Sequence, residues 1–229
     1  LATVVTMHQG RPKSTLGGVI IVRSERTELT TLADLRDKRV ATPNRNFLGG
    51  YIAQAYELLE AGIGPDQIKL DSGSNLHDAV VDAVLKGEVD AGFIRTGVLE
   101  QLTQEGRIDR SRLRVLNEQH HPDFPYAVST RLYPEWPVVA LPHVEEKLAR
   151  RIAAQLLSLE PNDPVLRAAG IHGFTIPADY TQVESAMRAL RVVPFDNLPD
   201  FTWRDVLLRY PAWTSALTAA VVIIIVLAL

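Results

Sequence analysis

The 229-residue chain carries 24 basic and 27 acidic side chains and a formal charge of −3, so it has no global basic field to draw nucleic acid. It has no cysteine, which excludes disulfides, thiol nucleophiles and thiolate zinc sites. Its 46 % hydrophobic and 22 % charged content suits a globular chain of one large domain or two lobes.

Leu1 to Met7 and Gly18 to Arg23 are β-rich runs separated by a polar loop, His8 to Ser14. The opening reads as a strand entered partway. No initiator Met, basic n-region or cleavage site is visible, so a fragment cut at both ends is expected. Thr30 and Thr31 cap a short helix through Leu35, and Lys38 to Thr42 is a strand broken by Pro43. Phe47-Leu48-Gly49-Gly50 then opens a long helix through Leu59, ended by Gly62 and Gly64-Pro65. Paired glycines there allow close backbone approach to an anion, or simply relieve crowding.

Ile68 to Leu70 is a short strand leading into the most informative stretch, Asn75 to Gly97. Asn75 is a good N-cap, Asp78 puts a carboxylate in the first turn, and Val80, Ala83 and Val84 make an apolar helix face. Gly87 takes the left-handed stop. Val89 to Ile94 is short and apolar, as a strand covered on both faces would be. Arg95-Thr96-Gly97 falls where that strand ends and the next helix begins. Helix N-termini and the carboxyl ends of parallel strands are where α/β sheets bind anions. A plain αβα unit without ligand has the same pattern.

Val98 to Gln104 is a helix and Leu113 to Leu116 a strand, completing an α/β alternation. His120 and His121 are neighbours in a proline-bounded loop with no carboxylate at helical spacing, so no metal site is expected. Tyr126 to Leu132 reads as a strand, Glu145 to Leu159 as an amphipathic helix, Asp163-Pro164 as the capped start of a short helix ended by Gly170, and Asp179 to Leu190 as a last helix. From Tyr210 to Leu229 no residue is charged. Ala212 to Leu229 would span about 27 Å as a helix, near the thickness of a bilayer core, and Trp203, Tyr210 and Trp213 precede it. A transmembrane helix over 210–229 is expected, with a buried core helix as the alternative. No serine-hydrolase, phosphate-loop or zinc-protease motif occurs, and neither catalytic residues nor a cofactor are expected. Asp90 and His77 form an acid–base pair or Asp90 is structural.

Thr31-Leu32-Ala33-Asp34-Leu35-Arg36-Asp37-Lys38-Arg39-Val40-Ala41 resembles the run that opens the second lobe of type II periplasmic binding proteins, with Asp37 where that family usually has Gly. His77-Asp78-Ala79-Val80 together with Gly87-Glu88-Val89-Asp90-Ala91-Gly92 is similar to the signature of the phosphate/phosphite/phosphonate-binding branch. Arg95 to Glu100 and Ser129 to Pro137 resemble sensor histidine kinases that carry this module outside the membrane, tetrathionate-type sensors included.

The resemblance implies an α/β, two-lobed type II periplasmic-binding-protein-like fold. Its first lobe would be 1–29 and 116–192, N-terminally incomplete, its second lobe 30–115, its juxtamembrane linker 193–209 and its membrane helix 210–229. It implies a small anionic ligand in the interlobe cleft, facing Asn46, Phe47, Gly49, Gly50, Tyr51, Asn75, His77, Arg95 and Thr96. Phosphonate binders tend to carry a hydroxyl-rich run at the first of these junctions. This chain has Asn46-Phe47-Leu48-Gly49-Gly50, which suits a sulfur oxyanion as well. Arg95 would be the main cation, unless a nearby carboxylate takes it. His77 would donate to the anion and titrate near 6.5, unless it is packed neutral. The implied role is an extracytoplasmic, ligand-sensing part of an inner-membrane histidine kinase, homodimeric through its membrane and cytoplasmic parts, signalling by lobe closure about Glu28–Thr30 and Leu116–Asn117. The alternative is a membrane-tethered receptor of an ABC-type anion transporter.

Overall fold

The structure is a computed structural model, and it describes residues 1–8, 11–197 and 209–210. The chain opens with four strands: β1 (Ala2–His8), β2 (Arg11–Lys13), β3 (Thr15–Leu16) and β4 (Gly18–Arg23). Then follow β5 (Arg39–Thr42), helix α1 (Ala53–Glu60), β6 (Lys69–Ser72), α2 (His77–Lys86), β7 (Ala91–Arg95), α3 (Val98–Gln104) and β8 (Leu113–Leu116). The remainder comprises β9 (Tyr133–Pro134), β10 (Pro137–Val138), α4 (Glu146–Leu157), α5 (Pro164–Ala169), β11 (Gly173–Thr175) and α6 (Thr181–Ala189).

Five strands form the main sheet in the order β6-β5-β7-β4-β8. β5 runs parallel to β6 and β7, whereas β4 is antiparallel to both neighbours, pairing Gly18 with Arg95 and Ile20 with Leu116. β1 pairs with β10, β11 and β2, and β3 pairs with β9. β4, Gly18–Arg23, thus lies inside the main sheet between β7 and β8. Its Val-Ile-Ile-Val run explains the position. Alternate side chains point to opposite faces, and both faces are covered. Ile20 and Val22 join Leu58 and Phe93 beneath α1, while Val19 and Ile21 join Val80, Val84 and Leu99 beneath α2 and α3.

Local signals stop the helices as expected. Gly87 and Gly170 take φ of 75° and 67° after α2 and α5, and Asp163 accepts a hydrogen bond from the Val165 N–H. The Asp34 carboxylate reaches back to the N–H groups of Thr30 and Thr31, which hold its pKa down to about 2. Two expectations are corrected. The N-cap of α2 is Leu76, and Asn75 lies outside the helix at a φ of 53°. Tyr126 to Leu132 is irregular rather than a strand. There the hydroxyls of Thr130 and Ser129 accept the N–H groups of Gly18 and Ile20 at 2.9 and 2.8 Å, doing with side chains what a ladder would do with backbone. The amphipathic helix expected over Glu145 to Leu159 forms as α4, with Leu148 and Ile152 48 % and 40 % exposed. Among the described residues no helix is long and apolar enough to cross a membrane. The segment Ala212 to Leu229 lies outside the described residues.

Gly92 sets how closely α2 approaches the sheet. A Cβ there would lie 2.7 Å from Val80 Cγ1 and 2.8 Å from Val84 Cγ2. Gly92→Val should therefore cost about 1–3 kcal/mol through overpacking. The check is a lower urea midpoint at unchanged slope.

Candidate functional site

The parallel strands β5 and β7 end on one edge of the main sheet, and the entry of β4 lies there too. β5 runs out at Thr42, and the chain re-enters as a widened π-type turn, Leu48–Ile52, continuous with α1. Thr42 Oγ1 donates to the Gly50 carbonyl at 2.6 Å. Gln54 Nε2 donates to the carbonyls of Gly49 and Ile94 at 2.8 and 2.9 Å, fastening the turn to the end of β7. The two glycines make room for side chains rather than leaving bare backbone. A Cβ on Gly49 would sit 2.9 Å from Arg95 Cγ, and one on Gly50 3.1 Å from His77 Cε1.

Arg95 closes β7, and one terminal guanidinium nitrogen pairs with the Glu135 carboxylate. Its Nε is buried without a hydrogen-bond partner among the described residues. Thr96 is 7 % exposed, and its Oγ1 accepts the Gly17 N–H at 3.1 Å. Gly97, at a φ of 90°, then turns the chain into α3. His77 lies in the first turn of α2, and its Nδ1 accepts the Arg95 backbone N–H at 3.3 Å. Burial and the adjacent Arg95 push its pKa down to about 4, against the pull of Asp78. The imidazole is therefore neutral at physiological pH, with its proton on Nε2 as a donor. Of the two alternatives, a ring titrating near 6.5 and a ring packed neutral, the burial of His77 fits the second.

A cavity of about 1390 Å³ brings together Asn46, Phe47, Gly49, Gly50, His77, Arg95 and Thr96. Two expected residues do not join them. Tyr51 is 3 % exposed and turns into the core, its ring 6.5 Å from that of Phe93. Asn75 is exposed, and its Oδ1 accepts Asn44 Nδ2 at 2.7 Å, tying two loops outside the cavity. Asp90 lies at the other end of β7, bound by Arg26 and by the Arg39 N–H; burial opposes ionisation, yet these contacts keep its pKa low. It makes no pair with His77 and is structural.

The cavity wall also holds residues that spacing alone does not pick out: Glu100, Tyr126, Glu135 and Tyr180. Glu100 accepts the Ala127 N–H with one carboxylate oxygen, while the other is buried without a partner among the described residues. Burial, reinforced by Glu100, raises the Tyr126 phenol to about 12. Glu135 is 2 % exposed, and burial holds its pKa above the ordinary carboxylate value despite Arg95. Its one signal in sequence is an acid set inside the apolar run Tyr133-Pro134-Glu135-Trp136-Pro137.

Residues 1–187 match the family model described as the periplasmic substrate-binding protein of phosphonate ABC transporters. Over 195 residues the chain is 31 % identical to the tetrathionate sensor histidine kinase TtrS of Salmonella typhimurium, an alignment covering 85 % of this chain and 32 % of that protein. The chain thus spans about a third of that relative's length. Among solved structures it is similar to PhnD1 from Prochlorococcus marinus in complex with methylphosphonate, with a TM-score of 0.57 at 20 % identity, covering 84 % of this chain and 72 % of the other. It is also similar to a binding-protein component of a phosphonate ABC transporter from Pseudomonas aeruginosa, with a TM-score of 0.56 at 14 % identity, covering 96 % and 71 %. These two structures share its α/β fold, that of type II periplasmic binding proteins.

Proposed function

The chain belongs to the family of periplasmic substrate-binding proteins of phosphonate ABC transporters, and from that premise we propose that it is the extracytoplasmic ligand-sensing part of a membrane histidine kinase, taking a small oxyanion of phosphorus or sulfur. The observation that carries this reading is the convergence of donors on one cavity. The Arg95 guanidinium, the neutral His77 ring and the Thr96 hydroxyl meet at the carboxyl edge of parallel strands. His77 sits at the start of a helix, where the backbone dipole favours an anion. The likeness to a tetrathionate sensor kinase over most of the chain favours sensing, with a sulfur oxyanion among the candidates. The family's own description favours the second reading, a transport receptor. In the sensor reading the lobes close on the ligand, and the 193–209 linker carries the movement to a membrane helix over 210–229 in a homodimer. A ligand that takes the lobes from mostly open to mostly closed needs about 5.5 kcal/mol of differential affinity. A few charge-assisted hydrogen bonds supply energy on that scale.

The test titrates the chain with methylphosphonate, phosphate, sulfate and tetrathionate and reads both heat and distance. With no native cysteine, Asp66→Cys and Lys147→Cys allow one spin label near each sheet. Saturable binding with a shortened label distance is expected for at least one anion. Binding at constant distance would leave a receptor without closure. Absence of binding by all four would end the oxyanion reading.

A further inference from the structure

Arg95 does not offer the cavity a free cation. Glu135 already occupies one terminal nitrogen, while the Nε edge is buried and unpaired among the described residues. The backbone of Glu135 is pinned on two sides. Its N–H donates to the Ser14 carbonyl at 2.8 Å, and its carbonyl accepts the Tyr180 hydroxyl at 2.5 Å. The carboxylate therefore stands over the guanidinium by construction, on the segment between β9 and β10, and both residues line the cavity. We propose that Glu135 is a built-in competitor for the oxyanion, its carboxylate holding on Arg95 the place of a ligand oxygen, so that Glu135 sets which anions bind and how tightly. This inference rests on the oxyanion reading above.

The chemistry follows from the fork. A carboxylate and a ligand oxyanion want the same N–H donors. Two anions crowded onto one guanidinium away from water repel, so one must leave or take a proton. Glu135 is the readier to yield. Burial outweighs Arg95 in its ionisation balance, so its charge is incompletely compensated where it stands. The charged or titratable groups that line the same cavity as Glu135 are Arg95, His77, Glu100, Arg110, Tyr126 and Tyr180, and Arg167 and His172 line a second hollow that Arg95 also borders. An entering anion displaces the carboxylate at neutral pH. In acid it meets a protonated Glu135 that no longer competes.

The experiment measures affinity for sulfate and methanesulfonate, whose charge is constant over about pH 5–8, in the wild-type chain and in Glu135→Gln. The variant is expected to bind on the order of tenfold tighter at about pH 8. Wild-type affinity should rise toward it as pH falls to about 5, while the variant's stays flat. Equal or weaker binding by the folded variant, beside a wild-type chain that binds, overturns the competitor role and leaves the oxyanion reading standing. If the variant does not fold, the wild-type profile decides, and a flat profile overturns the inference. No binding of any anion by either chain overturns both.

Discussion

Arg95→Ala should weaken oxyanion binding by roughly ten- to over a hundredfold and also destabilise the fold by about 3–5 kcal/mol near neutral pH. The first effect is the loss of a charge-assisted donor from the cavity. The second arises because Glu135, 2 % exposed, loses its cationic partner and stays buried. Glu135 already has a raised pKa, so the stability tied to its neutral form is present at low pH and lost as pH rises through the folded value. Removing Arg95 raises that value further, so the penalty should be largest in the alkaline range and fade in acid. Arg95→Ala combined with Glu135→Gln should recover most of the stability and none of the affinity, the non-additivity expected of a coupled pair. Urea unfolding across pH, with calorimetry on the same proteins, checks both parts. A single variant as stable as wild type at about pH 8 would show that Glu135 does not depend on Arg95.

The second large effect is acid sensitivity centred on His77. Its folded pKa is pushed down to about 4, whereas an unfolded histidine titrates near 6.5. Below about pH 6.5 the unfolded chain takes a proton that the folded chain refuses. The stability tied to this group is therefore full above 6.5 and drains away down to about 4, a total of about 3 kcal/mol. His77→Gln keeps an acceptor for the Arg95 N–H and a donor for the cavity but cannot titrate. The difference in unfolding free energy between wild type and variant should then shift by about 3 kcal/mol between pH 7 and 4. Parallel stability curves would show that the ring is solvated rather than buried. A neutral His77 also leaves binding near pH 6.5 unaffected by its own titration.

Much of this fold is legible in residues close together in sequence. Gly87 and Gly170 mark helix ends because left-handed backbone is local chemistry. Asp163-Pro164 marks a helix start for the same reason. The Arg95-Thr96-Gly97 junction is readable because a short apolar run followed by a polar turn leaves a strand's end few other meanings. Asn46 to Gly50, His77, Arg95 and Thr96 therefore meet in one cavity, as their positions at strand ends and helix starts imply. Neighbour effects end there. Asn75 looks like a cap, yet its loop is drawn aside by Asn44, 31 residues away. Tyr51 follows the glycines in the chain, but the wide turn rotates it into the core.

Turn chemistry and hydrophobic period act within a few residues, so the α/β alternation, the main helix stops and the junctions that hold the candidate ligand donors are all written locally in the chain. That β4 runs antiparallel inside the main sheet was settled by the assembled fold, since a continuous apolar run gives a strand two buried faces without naming its partners. The same holds for Ser129 and Thr130, whose β-like run ends as hydroxyls against β4. It holds most for Glu135 and Arg95, 40 residues apart in the chain. Whether a carboxylate is solvated or sealed over a guanidinium depends on what packs around it, and burial and pairing are properties of the assembled interior rather than of any stretch of residues.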